Sequence, residues 1–63
     1  MSHYDYVLSQ EIAAEGYPFY ALIMAAMRQA STLNATRLKA AFPAAQEELE
    51  KRYNAPGGKL ESD

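Results

Sequence analysis

Cysteine is missing from this 63-residue chain, which removes disulfides and thiolate metal sites together. Histidine occurs once, as His3, whereas a structural zinc site draws four ligands mainly from Cys and His. No metal or cofactor is therefore expected. A chain this short buries only about 60% of the surface its unfolded form exposes. With disulfides and metals set aside, it must gain stability from close helix packing or from self-association.

A long hydrophobic run is also lacking. The longest stretch without charge or amide is "YPFYALIMAAM", the eleven residues from Tyr17 to Met27, and crossing a bilayer takes about 20. Gly16 and Glu15 precede it, and Arg28 and Gln29 follow. An interfacial helix would carry Lys and Arg along its polar face, and only Arg28 is at hand, so no membrane association is expected. The opening "MSHYDYVLSQE" is acidic and polar where a secretory signal needs a basic then an apolar region, which points to the cytoplasm.

Catalytic groups are scarce. His3, the only imidazole, lies in a terminus prone to fraying, and Ser9, Ser31, Thr32 and Thr36 have no base partner in the sequence pattern and suit caps or surface positions. "APGG" lacks the Lys and following helix of a phosphate-cradling loop. The expectation is a protein that is not an enzyme, with no catalytic, cofactor-binding or metal-binding residues.

What is present is a folding composition, 49% apolar and 22% charged, close to globular averages. Tyr4, Leu8 and Ile12 recur at four-residue spacing with Val7 beside them, a helical face; Ser2 or Asp5 can cap its start and Gly16 its end. An extended "YDYVL" is the rival reading, but no second strand offers a pairing partner. Pro18 suits the first position of a second helix. At 100° per residue Phe19, Leu22, Ile23, Ala26, Met27 and Ala30 form its core stripe. Tyr20 and Met24 make a shoulder, and Ala21 and Ala25 a smooth patch on the far side.

For a third helix Asn34 is the expected N-cap, with Leu33 and Leu38 as a hydrophobic staple and Leu38, Ala41 and Phe42 facing inward. Pro43 stops that helix and opens the next, in which Ala45, Leu49 and Tyr53 supply the buried side. Glu47 and Glu48 early, with Lys51 and Arg52 late, suit the helix dipole and pair four residues apart. Asn54 is expected to end it in the left-handed conformation. The fold class is thus all-α: a small bundle of three to four short helices, at about 4–15, 18–30, 35–42 and 44–53, in a single domain over 1–54 with a flexible tail over 55–63.

All eight acids lie in Asp5 to Glu15 or in Glu47 to Asp63, so Gly16 to Gln46 holds Arg28, Arg37 and Lys39 and no acid. The chain as a whole is −2, which argues against general nucleic-acid binding, since phosphate neutralisation drives it. The segment "RQASTLNATRLK" nonetheless resembles a helix-turn-helix with Asn34, Thr36, Arg37 and Ala40 outward. Against this, the turn lacks the usual glycine, and mixed-sign surfaces are ordinary.

Five tyrosines in so short a chain suggest an interface, where Tyr and Met are enriched. Tyr20, Met24, Ala21 and Ala25 are the candidate partner or self-association surface. Arg28, Arg37 and Lys39 are the alternative nucleic-acid contacts.

"YPFYALIMAAMRQA", "AFP" and "EELEKRYNAPGG" together resemble short reading frames from phages of actinobacteria, over Tyr17 to Gly58. The resemblance implies a small accessory protein made in a bacterial host and acting on a host or phage component; it brings no catalytic residues. A structural virion component is a third reading, which the residues neither support nor exclude. The expected function is a small non-enzymatic helical interaction protein that binds a host or phage protein and self-associates as a homodimer through its second helix. The alternative is a small dimeric DNA-binding regulator.

Overall fold

The computed structural model describes all 63 residues. Four helices follow one another, α1 (His3–Ala14), α2 (Phe19–Gln29), α3 (Thr32–Ala41) and α4 (Pro43–Tyr53), with a short 3₁₀ turn at Pro56–Gly58 and no strand. The small all-α bundle expected from the periodicity is what forms, and "YDYVL" is helical.

Local chemistry sets the helix ends. Ser2 caps α1, its Oγ accepting the Asp5 N–H at 3.2 Å. At the other end Gly16 takes φ +73° and donates its N–H to the Ala13 carbonyl at 3.2 Å, a conformation that glycine adopts without the strain a Cβ would bring. Pro18 is the N-cap of α2 and stays extended at φ −60° and ψ 148°, one residue outside the position expected for it. Its carbonyl accepts the Leu22 N–H at 3.2 Å. Pro43 is the first residue of α4, as its missing N–H favours.

Four expectations about caps and burial are corrected. α3 begins at Thr32, earlier than expected, because Ser31 and not Asn34 is the N-cap: Ser31 Oγ accepts the Asn34 N–H. Leu33 then lies inside the helix and is exposed, so the Leu33–Leu38 staple does not form at the helix entrance. Asn54 is right-handed, at φ −88° and ψ −3°, and its side-chain amide donates to the Glu50 carbonyl at 3.0 Å; the left-handed positions fall on Gly57 and Gly58. Tyr53, expected on the buried side of α4, is 77% exposed.

α4 is the hub. It packs against α2, α3 and the 3₁₀ turn, while α2 also meets α3. Ala45, 6% exposed, is the only buried residue. Around it Leu22, Ile23, Met27, Ala30, Leu38, Phe42 and Leu49 are half-buried, in agreement with the direction of the stripes if not with a closed core. Phe19 is more open than a core residue, but its ring meets Phe42 edge-on with centroids 6.0 Å apart. Ala26 and Ala41, also expected inward, are exposed.

α1 stands apart: no Cα of it comes within 8 Å of another element. Its stripe is correspondingly open, with Tyr4 and Ile12 exposed and Val7 and Leu8 half-buried. The molecule measures 41 × 27 × 17 Å, with a radius of gyration of 13.4 Å, against about 11 Å for a compact chain of this length. Its accessible surface is 5351 Å², where a compact monomer of 7.0 kDa exposes roughly 4,000 Å². The excess is about 1,300 Å².

Candidate interaction surface

Tyr20 and Met24 are one turn apart on α2 and border a groove whose other wall is α4, with Ala44, Ala45, Glu48 and Arg52. Tyr20 is exposed and Met24 half-buried, and the Phe19 ring packs edge-on against Tyr20 at 5.2 Å between centroids. Ala21 and Ala25 lie about 100° round the helix in a second groove, with Ile12, Tyr17, Leu22 and Ala26. The four residues grouped from the sequence thus occupy two surfaces: one shared with α4, the other facing the end of α1.

The second groove continues. Ala26 and Gln29 also line a depression running over α3 to Asn34, Arg37 and Leu38. Small side chains on α2 leave this trough shallow, and its apolar wall consists mostly of alanine and leucine.

Arg28, Arg37 and Lys39 have no carboxylate within 4 Å. Arg37 donates to Asn34 Oδ1 at 3.4 Å, and Thr36 donates its hydroxyl to the Thr32 carbonyl at 3.0 Å. Arg28 borders a different groove, beside Leu49, Glu50 and Tyr53 of α4. Arg28 and Arg37 therefore flank separate depressions, and Lys39 is exposed outside both. Asn34, Thr36, Arg37 and Ala40 are all solvent-accessible.

The paired charges lie on α4. Lys51 and Glu47 meet at 3.1 Å, and Arg52 Nε meets Glu48 at 2.8 Å, the two pairs expected from their spacing. A further partner was not legible in the sequence. Arg52 grips both oxygens of Asp63, at 2.8 and 2.7 Å, and also donates to the Gly58 carbonyl at 2.9 Å. The segment expected as a flexible tail is thus folded back along α4, near the rim of the Tyr20–Met24 groove. Its clasp is a surface ion pair, a class of contact that contributes little to stability, so closure is compatible with easy release.

The Arg52 guanidinium, helped by the Leu60 N–H, pulls the Asp63 carboxyl down from 3.8 to about 2. The same bonds, Asp63 first and then Glu48, raise the Arg52 pKa, so Arg52 stays charged throughout. A depressed acid favours the closed form above its ordinary pKa. The clasp should therefore be intact above about pH 4 and lost as pH falls through about 2. An NMR titration of the Asp63 carboxyl checks this: a midpoint near 3.8, matching an open tail, would refute the clasp.

His3 stacks near Tyr6, with ring centroids 6.4 Å apart. No group of three or more His, Asp or Glu side chains is placed to hold a metal, and no helix is long and apolar enough to cross a membrane. Compared with protein-family models, curated proteins and solved structures, the chain matches none.

Proposed function

We propose that this is a small non-enzymatic interaction protein, a homodimer formed through the outer face of α2, that binds a second protein in the Tyr20–Met24 groove. The observation that carries the reading is the surplus of surface. About 1,300 Å² beyond a compact monomer matches what each subunit of an obligate homodimer buries, upward of roughly 1,000 Å². Tyr20 adds an exposed aromatic beside Met24, a pairing suited to adaptable protein contacts. The resemblance to actinobacterial phage proteins makes a host-cell or phage protein the partner class, met in the host cytoplasm.

Sedimentation equilibrium at micromolar concentration should give about twice the chain mass. Tyr20→Glu with Met24→Lys should leave that mass unchanged while removing proteins captured from an actinobacterial lysate. A stable monomer sinks the dimer, and an unchanged set of captured proteins sinks the groove.

The unpaired state of Arg28, Arg37 and Lys39 favours a second reading, a dimeric DNA-binding regulator. Titrating the same sample with duplex at low and moderate salt separates the two. Binding that weakens with salt, and disappears when the three cations are neutralised, would support the regulator.

A further inference from the structure

No Cα of α1 lies within 8 Å of another element, and only Ile12, near the end of the helix, borders the α2 groove. Leu8 and Ile12 lie on one face, and Glu11 and Glu15 run parallel to them about 60° round the helix. None of the four ion pairs in the molecule uses either glutamate. With Asp5, α1 and its C-cap carry −3 of side-chain charge.

The trough on α2 and α3 is its complement. It is apolar along Ala21, Ala25 and Ala26, and Arg37 stands at its far end. Arg28, seven residues on from Ala21, lies about 20° round α2 from it, on the rim between the trough and the α4 groove that it also borders. The whole segment from Gly16 to Gln46 has no acid of its own. The lengths also agree, since twelve residues in α1 and eleven in α2 span about 18 and 16 Å at 1.5 Å per residue.

From this complementarity we infer that two copies of the chain exchange their first helices: α1 of each lies in the α2–α3 trough of the other, its Leu8–Ile12 face on the alanines and its Glu11–Glu15 edge toward Arg28 and Arg37. The inference rests on the reading that the chain self-associates and names the contact that produces it. A two-fold arrangement makes both contacts at once, because each copy presents the same helix and the same trough. The exchange also accounts for the separation of α1 from its own bundle. Folding back in both copies would cover the same two troughs; exchange covers them and also joins the chains.

Charge reversal tests it. One variant carries Arg28→Glu and Arg37→Glu, and the other carries Glu11→Lys and Glu15→Lys; all four positions are exposed, and circular dichroism verifies the helical content of each. Alone, each variant sets like charges against each other in both contacts, and its dimer dissociation constant should rise at least tenfold. Mixed in equal amounts, the two should form a heterodimer of near wild-type affinity, because each contact again pairs opposite signs. Wild-type association should weaken as salt is raised.

If the wild type is a dimer but the reversals have no effect, or mixing restores nothing, helix exchange is wrong and the dimer forms elsewhere. A helix docked within its own chain gives that second result, since mixing cannot repair an internal contact. A monomeric wild type overturns both the exchange and the dimer on which it rests. Should a reversed variant lose helical content, the neutral pairs Arg28→Gln with Arg37→Gln and Glu11→Gln with Glu15→Gln take its place: each must weaken the dimer for the exchange to stand.

Discussion

Ala45→Asp should cost the fold several kcal/mol, while Ala44→Asp one position earlier should change stability by no more than about 0.5 kcal/mol. Both sites lie in the first turn of α4, where a carboxylate gains about 0.3 to 1 kcal/mol from the helix dipole. At Ala44, which is exposed, that gain is offset by repulsion from Glu48 four residues on, about 0.2 to 0.5 kcal/mol. At Ala45 the same carboxylate would enter the only buried position in the chain. An unpaired buried charge costs roughly 3 to 5 kcal/mol, and a domain of this length has about 3 to 9 kcal/mol in total. Thermal melts followed by circular dichroism should show a large fall for Ala45→Asp alone. Equal melting temperatures for the two variants would mean that α4 does not seat on α2 and α3 as described.

The second large effect is expected at Phe42. It joins α3 to α4 at φ −132° and ψ 64° and meets the Phe19 ring of α2 edge-on, so one side chain ties three helices. Complete loss of a buried Phe costs about 3 to 5 kcal/mol; Phe42 is half-buried, and Phe42→Ala should cost roughly 2 kcal/mol. Phe19→Ala should cost less, since Phe19 is 56% exposed. In a double-mutant cycle the pair should show a coupling of about 0.5 to 1.5 kcal/mol, the usual range for aromatic contacts. Strictly additive losses would show that the rings do not support each other in solution.

Much of this architecture is legible in the sequence because it is locally determined. Ser2, Gly16 and Pro43 act within a turn of their own positions, and Glu47–Lys51 and Glu48–Arg52 need only helical spacing. Asn34 is a good cap by type, but Ser31 three residues earlier is another, and Ser31 holds the Asn34 N–H. Tyr53 was misplaced for a different reason. Periodicity identifies which residues share a face, but not whether another element reaches that face, and at the end of α4 none covers it.

The same limit governs the surface residues. Spacing separates Tyr20 and Met24 from Ala21 and Ala25, yet only the placement of α4 and α1 shows that the two pairs border different grooves. The Arg52–Asp63 clasp spans eleven residues across a turn containing two left-handed glycines, beyond the reach of any helical repeat.

The detached first helix also sets a clock. Twelve residues are at the edge of what holds a helix in water without support, and helix–coil relaxation in short peptides takes about 0.1 to 1 μs. Few contacts in the bundle of α2, α3 and α4 join residues far apart in sequence, a topology that folds within microseconds to milliseconds. Under the proposed exchange, an arriving chain would therefore meet a three-helix body already formed and an arm that winds and unwinds many times during a single encounter.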